Sequence, residues 1–329
     1  MDKRFDKVIK EINRGKKFLA VSHVSPEGDA IGSLLGITLA LRSIGKDVTA
    51  YLEDPVPKMF DFLPGAETIV HTLDGAGAFD ATFAVDCGQK ERLGKGFIAL
   101  KGPGSIINID HHATNDRFGD VNVIEPDASA AGELVYDLIK AASINMTLDI
   151  ATNLYVAIHT DTGSFRYSSA TADAFMKAGE LVRIGVSPWE ISRRIYENYP
   201  ARKYVLLGMV LPTLDIINLD GGKSIAILAV TLEMFRKAGA EKDLADGFVN
   251  YARGIEGVEV GMLLREISAN EYKVSMRSKG GVDVAEVTGY FGGGGHRNAA
   301  GCTLKGSLED VKARIMGVIK EKTFATEKA

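Results

Sequence analysis

The chain has 329 residues, of which 46% are apolar and 25% are charged, so it is long enough and apolar enough for two ordinary globular domains. Its formal net charge is -4 at pH 7. Because proteins that bind long nucleic acid generally need an excess of basic residues, this chain is not expected to bind it, and any phosphate substrate should be small. The chain has only two cysteines and a charged N-terminus, which favour a reduced, cytoplasmic setting. No apolar run approaches the ~18 residues that a membrane span needs, so no membrane association is expected.

Short apolar runs alternate with helical patterns in the first half of the chain. The apolar runs predict strands at 18–22, 48–52, 81–85 and 105–109. The helical patterns fit 29–44, 130–142, 150–159 and 172–184. Because strands that alternate with helices are typical of crossover connections, this half predicts an α/β domain with a parallel sheet and flanking helices.

The pattern changes in the second half. Residues 187–214 are helical in character and are interpreted as a connector between domains 1–186 and 215–329. Beyond the connector, three apolar runs are predicted to form antiparallel strands, at 224–231, 258–267 and 272–277. Helices are predicted near 242–253 and 308–322. The second domain is therefore expected to be a smaller α+β domain, with the active site in the cleft between the two domains.

The first motif that carries chemistry lies between His23 and Ser33. The chain leaves a strand, turns, and enters a helix near Asp29, so three potential ligands, His23, Glu27 and Asp29, lie within seven residues. Ligands on one tight loop converge on a metal ion at a small entropic cost. An alternative is that Asp29 caps the helix and Glu27 is solvated.

Three further elements add potential ligands. Asp86 follows a strand-like run, and Asp161 ends an apolar helical pattern; either acid alone is also explained as a turn or cap residue. Asp110, His111 and His112 directly follow a buried strand, and two adjacent histidines beside an acid are hard to explain by packing.

The types of these side chains indicate which ion they would bind. Imidazoles and carboxylates without a thiolate suit Mn²⁺ or a similar divalent ion. The number of acids allows two ions bridged by one carboxylate, which is a typical arrangement for phosphoryl displacement.

Four motifs carry a resemblance to a known family, and they lie at 23–33, 85–87, 110–112 and 160–163. Together they resemble the motifs of the DHH phosphoesterase superfamily. The C-terminal runs at 276–278 and 291–301 resemble the associated DHHA1-type domain. In length and motif order, the whole chain is similar to bacterial NrnA-type nanoRNases, which also act as phosphatases on 3′-phosphoadenosine 5′-phosphate.

The resemblance implies two metal sites that share a bridging carboxylate. One site would be formed by His23, Glu27 and Asp86. The other would be formed by Asp29, Asp86, His111 and Asp161. His112 would face the scissile phosphate, so Asp86 and His112 are the implied catalytic residues. The family usually has Asp where this chain has Glu27, and the longer side chain is expected to make the first site looser or differently selective. Mn²⁺ is the expected ion, with Mg²⁺ or Co²⁺ as alternatives.

The second domain carries a run of four glycines, 292–295. Apolar flanks argue against a flexible linker, and a glycine-rich turn presents backbone N–H groups closely to an anion. The resemblance implies that the residues around this turn, together with an Arg-Ser pair, hold a nucleotide phosphate. The expected substrate-binding residues are Arg277, Ser278, Gly294, Gly295, His296 and Arg297. For Arg277, an exposed surface charge is the alternative.

The expected activity is hydrolysis of short oligonucleotides and of 3′-phosphoadenosine 5′-phosphate. The alternatives are a phosphodiesterase acting on cyclic dinucleotides or their linear products, and a non-catalytic nucleotide-binding regulatory module. Pyrophosphate or polyphosphate hydrolysis is disfavoured because the family it resembles carries a lysine-rich C-terminal signature that the glycine run does not match. A RecJ-like exonuclease on long single strands fits the acidic charge poorly. The resemblance also implies a homodimer.

Overall fold

The structure is a computed structural model that describes residues 3–219 and 222–326. The chain divides into two compact units, one up to Asn198 and one from Tyr199 onward. As predicted, the first unit is α/β with a parallel sheet, and the second contains a separate sheet with helices. Among the described residues, none of the helices combines the length and apolar character that crossing a membrane requires.

The first unit alternates strands and helices along the chain. Its strands are β1 Lys17–Val21, β2 Asp47–Tyr51, β3 Ile69–Val70, β4 Ala81–Val85, β5 Ser105–Asp110 and β6 Val121–Ile124. Its helices are α1 Asp6–Arg14, α2 Gly28–Ser43, α3 Lys95–Ala99, α4 Ala131–Ala141, α5 Leu148–Asp161, α6 Ala172–Ile184 and α7 Pro188–Tyr196. The sequence patterns found the four main strands and the four main helices, but did not find β3, β6 or α3.

Within the described residues, the sheet of the first unit has the order β3-β2-β1-β4-β5-β6, and every pairing in it is parallel. Its strands bury side chains on both faces. Phe18 and Ala20 of β1 belong to one apolar core, and Leu19 and Val21 belong to a second core on the opposite face. Successive strand residues point to opposite faces, so a strand covered on both sides reads as a continuous apolar run.

Helices α2 and α5 pack closely in the larger core of this unit. A Cβ at Gly32 of α2 would lie 2.4 Å from the backbone oxygen of Asn153 in α5. A backbone atom cannot move aside as the end of a flexible side chain can, so this position requires glycine. The close approach matters for the site because α2 carries Asp29 and α5 ends at Asp161.

The second unit has a mixed sheet. Its strands are β7 Asp215–Asn218, β8 Ser224–Val230, β9 Val258–Ser268, β10 Glu271–Ser278, β11 Gly294–His296 and β12 Ala299–Lys305. Its helices are α8 Ala201–Val210, α9 Leu232–Ala238, α10 Val249–Arg253, α11 Val284–Gly289 and α12 Leu308–Thr326. In the described part of the chain, the strand order is β11-β12-β10-β9-β8-β7. Ile225 and Ile227 of β8 face one apolar core, and Ala226 and Leu228 face another.

Two predictions for this unit were wrong. The runs at 224–231 and 258–267 were predicted to be antiparallel, but β8 and β9 pair in parallel. A parallel pair needs a long crossover connection, and α9 and α10 supply it. The helix predicted near 242–253 is interrupted, because a 3-10 turn at Lys242–Ala245 is separated from α10 by Gly247, whose φ is 87°.

We expect Gly32→Ala to lower the thermal stability of the protein by about 1–3 kcal/mol, because the new methyl group must displace the backbone of α5. Gly179→Ala is the matched control, since a Cβ at this α6 position meets nothing within 4 Å and alanine favours a helix by up to about 1 kcal/mol. Thermal unfolding followed by circular dichroism measures both variants. Equal midpoints for the two variants would contradict the proposed close packing.

Candidate metal centre

The predicted site residues of the first unit lie at the carboxyl ends of adjacent strands. His23 follows β1, Asp86 follows β4, and Asp110 ends β5. Strand β1 lies between β2 and β4, so the chain order of the sheet reverses beside it. Open α/β sheets bind ligands at the carboxyl edge near such a reversal. The fold therefore brings residues that are far apart in sequence to one edge.

Imidazole nitrogens and carboxylate oxygens meet at this edge at nearly uniform distances. Asp86 Oδ2 lies 3.6 Å from His23 Nε2, and Asp86 Oδ1 lies 3.6 Å from His111 Nε2. His111 Nε2 is also 3.6 Å from Asp29 Oδ2 and from Asp161 Oδ2. These distances are too long for hydrogen bonds. They suit ligands of a shared ion, because atoms bonded to one ion at about 2.1 Å stand roughly 3–4 Å apart.

The side chains form two groups that could each hold an ion. One group is His23, Glu27 and Asp86, and the other is Asp29, His111 and Asp161; within each group, the ligand atoms lie within 4.8 Å of one another. Asp86 contacts a histidine of each group through a different oxygen. Its Oδ1 atom is buried and has no hydrogen-bond donor among the described residues. A buried carboxylate oxygen without a donor is costly unless a cation occupies the position beside it.

Backbone carbonyl groups orient both histidines. The Nδ1 atom of His23 lies 2.9 Å from the oxygen of Val24, and Nδ1 of His111 lies 3.1 Å from the oxygen of Ala128. A carbonyl oxygen only accepts hydrogen bonds, so Nδ1 carries a proton in His111. In His23, an Arg92 nitrogen also lies 3.3 Å from Nδ1, but the Val24 oxygen is closer and favours a proton on Nδ1 there as well. Each ring therefore directs Nε2, the nitrogen that remains for a metal ion, towards Asp86, as in metal-ligating histidines.

Backbone N–H groups of another helix hold Asp29. Its carboxylate accepts from the backbone nitrogens of Ala131 at 2.6 Å and Gly132 at 3.0 Å, and from the Ser33 hydroxyl at 2.7 Å. These nitrogens belong to the first turn of α4, where the helix dipole favours a negative charge. The alternative that Asp29 caps α2 was wrong, because Asp29 is directed into the site.

Glu27 caps α2 in place of Asp29. Its two carboxylate oxygens accept from the backbone nitrogens of Asp29 and Ala30, each at 2.9 Å. The same carboxylate lies 3.9 Å from His23 Nε2. Glu27 therefore combines a capping role with a position beside the first ligand group, and its assignment as a ligand stays a prediction. An Asp at this position has a shorter side chain, so it would lose part of its hydrogen bonding to the helix N-terminus if its carboxylate were to lie as close to His23.

Electrostatic repulsion and burial shift the pKa values of the acids. Burial and then the Asp86 carboxylate raise the pKa of Asp29 well above its usual range. Burial, Asp86 and Asp161 raise the pKa of Glu27 to about 7. Acids held this close favour a cation among them.

The histidines partly neutralise Asp86, the acid that lies between the two ligand groups. Burial raises the pKa of Asp86, but the neighbouring imidazoles of His111, His23 and His112 outweigh burial and hold this pKa well below its usual range. Burial lowers the pKa of His111, but Asp86, Asp161 and Asp29 outweigh burial and raise it well above 6.5.

The backbone of Asp86 is also unusual. Its φ is 52°, a left-handed conformation that is uncommon for residues other than glycine. Strain of this kind is typical of functional sites.

The structure shows a further part of the site that the sequence did not indicate. The Nδ1 atom of His112 lies 2.7 Å from Oδ1 of Asp110, which is fully buried. Burial lowers the pKa of His112, but the Asp110 hydrogen bond and the Asp86 charge outweigh it and raise this pKa above 6.5. His112 is thereby favoured as a proton or hydrogen-bond donor. In the sequence, Asp110 was one of several acids, with nothing to distinguish an orienting role from a ligand role.

The predicted substrate residues lie close together within the second unit. Arg277 of β10 and His296 of β11 both pair with Ala299 of β12, one from each side. Paired residues on adjacent strands point to the same face, and strands are spaced by about 4.8 Å, so the two side chains flank a small alanine roughly 10 Å apart. The opposite face carries Met276 and Ala300, which belong to the apolar core.

The glycine run does not form an open turn throughout. The backbone N–H groups of Gly292 and Gly293 donate to Gly289 and Thr288, where α11 ends. Gly294 and Gly295 belong to β11, and a Cβ at Gly295 would lie 2.4 Å from the backbone oxygen of Ala299. Glycine is therefore required at Gly295 by strand packing, whatever its role towards an anion.

Ser278 and Arg297 differ in exposure. The Ser278 hydroxyl is buried, lies 3.3 Å from a carboxylate oxygen of Glu259, and accepts from the backbone nitrogen of Gly280 at 2.9 Å. Arg297 is exposed, and its backbone oxygen accepts from the nitrogen of Val284. The substrate roles of both residues stay predictions.

Comparison with known proteins decides the family. Residues 17–158 match the model of the DHH family, N-terminal domain, and residues 222–321 match the DHHA1 domain. The bifunctional oligoribonuclease and PAP phosphatase NrnA of Thermus thermophilus is 37% identical over 301 residues, which cover 91% of this chain and 88% of that protein. The chain belongs to the DHH family. This DHH-family protein is therefore a metal-dependent phosphoesterase, and its His, Asp and Glu side chains are positioned for metal binding.

Other known proteins are also similar to most of this chain. The protein of the same name from Bacillus subtilis is 26% identical, over 86% of this chain and 87% of its own length. Among solved structures, an exopolyphosphatase-related protein from Bacteroides fragilis superposes with a TM-score of 0.90 and 28% identity, over 99% of this chain and 98% of that protein. The DHH-family protein thus shares its fold with the Bacteroides fragilis structure over nearly its full length, and it is similar in sequence to the Bacillus subtilis protein over most of its length.

We expect Asp86→Asn to lower the catalytic rate by roughly 10³-fold or more and to weaken Mn²⁺ binding, because the side chain keeps its shape but loses the charge that both ligand groups share. Asp47→Asn, at the exposed amino end of β2 in the same sheet, is the control and should behave like the unmodified protein. Phosphoester hydrolysis and calorimetric Mn²⁺ titration measure both. Unchanged metal affinity in Asp86→Asn would refute its bridging role.

We expect Mn²⁺ binding to release protons at neutral pH. The pKa of His111 is raised well above 6.5, so the imidazole is protonated in the metal-free protein and must lose that proton to become a ligand. The apparent affinity should therefore keep rising as the pH increases beyond 6.5. Titration calorimetry in buffers of different ionisation enthalpy counts the released protons, and binding without proton release would contradict the assignment of His111.

Proposed function

We propose that this protein is a two-metal phosphoesterase that hydrolyses short oligonucleotides and 3′-phosphoadenosine 5′-phosphate. The observation that carries the proposal is the position of Asp86, whose two oxygens each lie 3.6 Å from the Nε2 atom of a different histidine. A carboxylate shared between two ligand groups is an arrangement for a pair of ions rather than for a single structural ion. The name of the Thermus thermophilus relative, a bifunctional oligoribonuclease and PAP phosphatase, supports the substrate class.

We assign the ligands as the two groups described above, with Asp86 belonging to both. When bound, the ions would lower the pKa of a water molecule and neutralise charge on the phosphate oxygens. Mn²⁺ suits the donor set of imidazoles and carboxylates, with Mg²⁺ or Co²⁺ as alternatives. The protein itself fixes the direction of three of these ligands: Val24 orients His23, Ala128 orients His111, and the first turn of α4 orients Asp29.

His112 is the proposed donor to the phosphate. Its raised pKa keeps the ring protonated at neutral pH more readily than an ordinary histidine, so it can donate a hydrogen bond to a phosphate oxygen or a proton to the leaving oxygen. Asp110 holds Nδ1 of the same ring and thereby fixes its orientation. Both effects favour His112 for the transition state, where negative charge increases on the oxygens around phosphorus.

The second unit would bind the nucleotide through its phosphate. Arg277 presents a planar fork suited to two phosphate oxygens, and His296 flanks the same small residue from the other side. We propose these two residues as the principal phosphate ligands, with Ser278, Gly294, Gly295 and Arg297 in supporting roles. A site that holds one terminal phosphate suits short substrates, which agrees with the net charge of -4. A homodimer and a cytoplasmic location stay predictions from the sequence.

A panel of substrates tests the proposed function. With Mn²⁺ present, we expect hydrolysis of 3′-phosphoadenosine 5′-phosphate and of a linear dinucleotide, and little or none of cyclic di-AMP, pyrophosphate or a long single strand. Product release is measured by phosphate detection and chromatography. A chelator should abolish both activities, because the proposed reaction needs the bound ions to lower the pKa of water and to neutralise charge on the phosphate.

The other outcomes separate the alternatives. Turnover of the cyclic dinucleotide alone would favour a cyclic-dinucleotide phosphodiesterase. Tight nucleotide binding without turnover of any substrate would favour a regulatory module. Efficient hydrolysis of the long strand would contradict the expectation of a small substrate that the charge balance supports.

A further inference from the structure

A chain of partly buried hydrogen bonds leads away from His112, on the side opposite to its expected contact with substrate. One oxygen of Asp110 lies 2.7 Å from His112 Nδ1, and the other accepts from Nδ2 of Asn115 at 2.5 Å. Asn115 Nδ2 also lies 2.9 Å from Oδ1 of Asn108 and 3.2 Å from the oxygen of Cys87. The Asn115 amide is therefore surrounded by acceptors.

The amide orientation of Asn115 follows from its neighbours. Three oxygen atoms surround its nitrogen, whereas its Oδ1 atom accepts from the backbone nitrogen of Arg117 at 2.6 Å. The reverse orientation would place an oxygen against the Asp110 carboxylate and an NH₂ group against an N–H group, which removes every one of these hydrogen bonds. The two ends of the Asn115 side chain thus have separate tasks, and only the nitrogen end leads to His112.

Asn115 supplies what the Asp110 carboxylate needs to stay in one orientation. Asp110 is fully buried, and a buried carboxylate requires donors on both oxygens to remain charged and fixed. His112 serves one oxygen, and the Asn115 amide serves the other. Without that amide, the carboxylate would be free to rotate, and Nδ1 of His112 would lose a defined partner.

We propose that Asn115 is a positioning residue that fixes the ring and the tautomer of His112 through Asp110. The inference rests on the proposed function, because it assigns to His112 the contact with the phosphate. With the proton held on Nδ1 by Asp110, the ring meets the substrate through Nε2. Asn115 touches neither substrate nor metal ion in this scheme, and its effect on the reaction passes through the orientation of one side chain.

Asn115→Asp separates this role from a structural role in the turn. Aspartate keeps Oδ1, which accepts from Arg117, but replaces the donor nitrogen with an oxygen that repels Asp110. If Asn115 only stabilised the turn, Asn115→Asp would behave like the unmodified protein. If it positions His112, kcat should fall by roughly 10–100-fold while KM changes by less than about threefold. Thermal unfolding confirms that the variant is folded.

Asn122→Asp is the matched control. Asn122 lies in the same part of the chain, and among the described residues both ends of its amide hydrogen-bond to the backbone of Gly119. Its replacement should leave kcat unchanged. A reduction of kcat in Asn122→Asp as large as that in Asn115→Asp would overturn the proposal, because the effect would then be a general loss of order in this segment.

A double-mutant cycle tests the route through His112. In the His112→Ala background, Asn115→Asp should lower kcat by less than about twofold further, because the side chain through which it acts is gone. If Asn115→Asp lowered kcat in the His112→Ala background by the same factor as in the unmodified protein, the proposal would be overturned, since Asn115 would then act independently of His112. Wild-type kcat in Asn115→Asp would also overturn it, and would leave the proposed function intact.

Nuclear magnetic resonance gives a readout that does not depend on activity. In protein with ¹⁵N-labelled histidine and diamagnetic Mg²⁺, the His112 signals are identified by their loss in His112→Ala. At an alkaline pH at which the His112 ring is neutral, we expect the proton on Nδ1 in the unmodified protein and in Asn122→Asp, and a mixture of tautomers in Asn115→Asp. The same His112 spectrum in all three would overturn the proposal. If the unmodified protein hydrolyses none of the substrates, the proposed function fails, and this spectrum alone decides whether Asn115 positions His112.

Discussion

The structure of the first unit depends on one electrostatic constraint, the close approach of several carboxylates around buried imidazoles. Ligand atoms within each group lie within 4.8 Å of one another, so in a metal-free protein the acids repel each other. Burial and this repulsion raise the pKa of Asp29 well above its usual range. Two divalent cations would convert this repulsion into attraction. The fold must therefore hold the acids in place by other means until the ions bind.

Backbone groups provide most of that restraint. Asp29 is held by N–H groups of the first turn of α4, and the histidine rings are held by carbonyl oxygens of Val24 and Ala128. A backbone group in a packed core has few alternative positions, so it orients a ligand more firmly than a flexible side chain would. The glycine at Gly32 contributes indirectly, because it allows α2 and α5 to pack closely.

The second unit uses sheet register for a similar purpose. Arg277 and His296 are separated by nearly twenty positions in sequence, and both flank Ala299 because β12 lies between their strands. A shift of one residue in either pairing would turn one of the two side chains towards the apolar core. The tight contact at Gly295 fixes that register, which explains a glycine in this strand without any reference to a ligand.

The sequence alone determined the class of the fold and the ligand types. The main strands and helices of the first unit were found from their apolar runs because a strand buried on both faces has a simple pattern. The antiparallel prediction for β8 and β9 failed because strand direction depends on the connection, and α9 was not recognised. Local patterns carry no information on which distant strand a run will pair with.

Only the tertiary structure decided which polar groups meet. The sequence identified His23, Asp86 and His111 by residue type and motif, but the sharing of Asp86 between two histidines requires β1, β4 and β5 to be neighbours. Asn115 is an ordinary turn residue in the sequence, and its contact with Asp110 appears only when the loop folds back. Residue type fixes what a side chain can bind, whereas its partners are fixed by long-range packing, which no local pattern records.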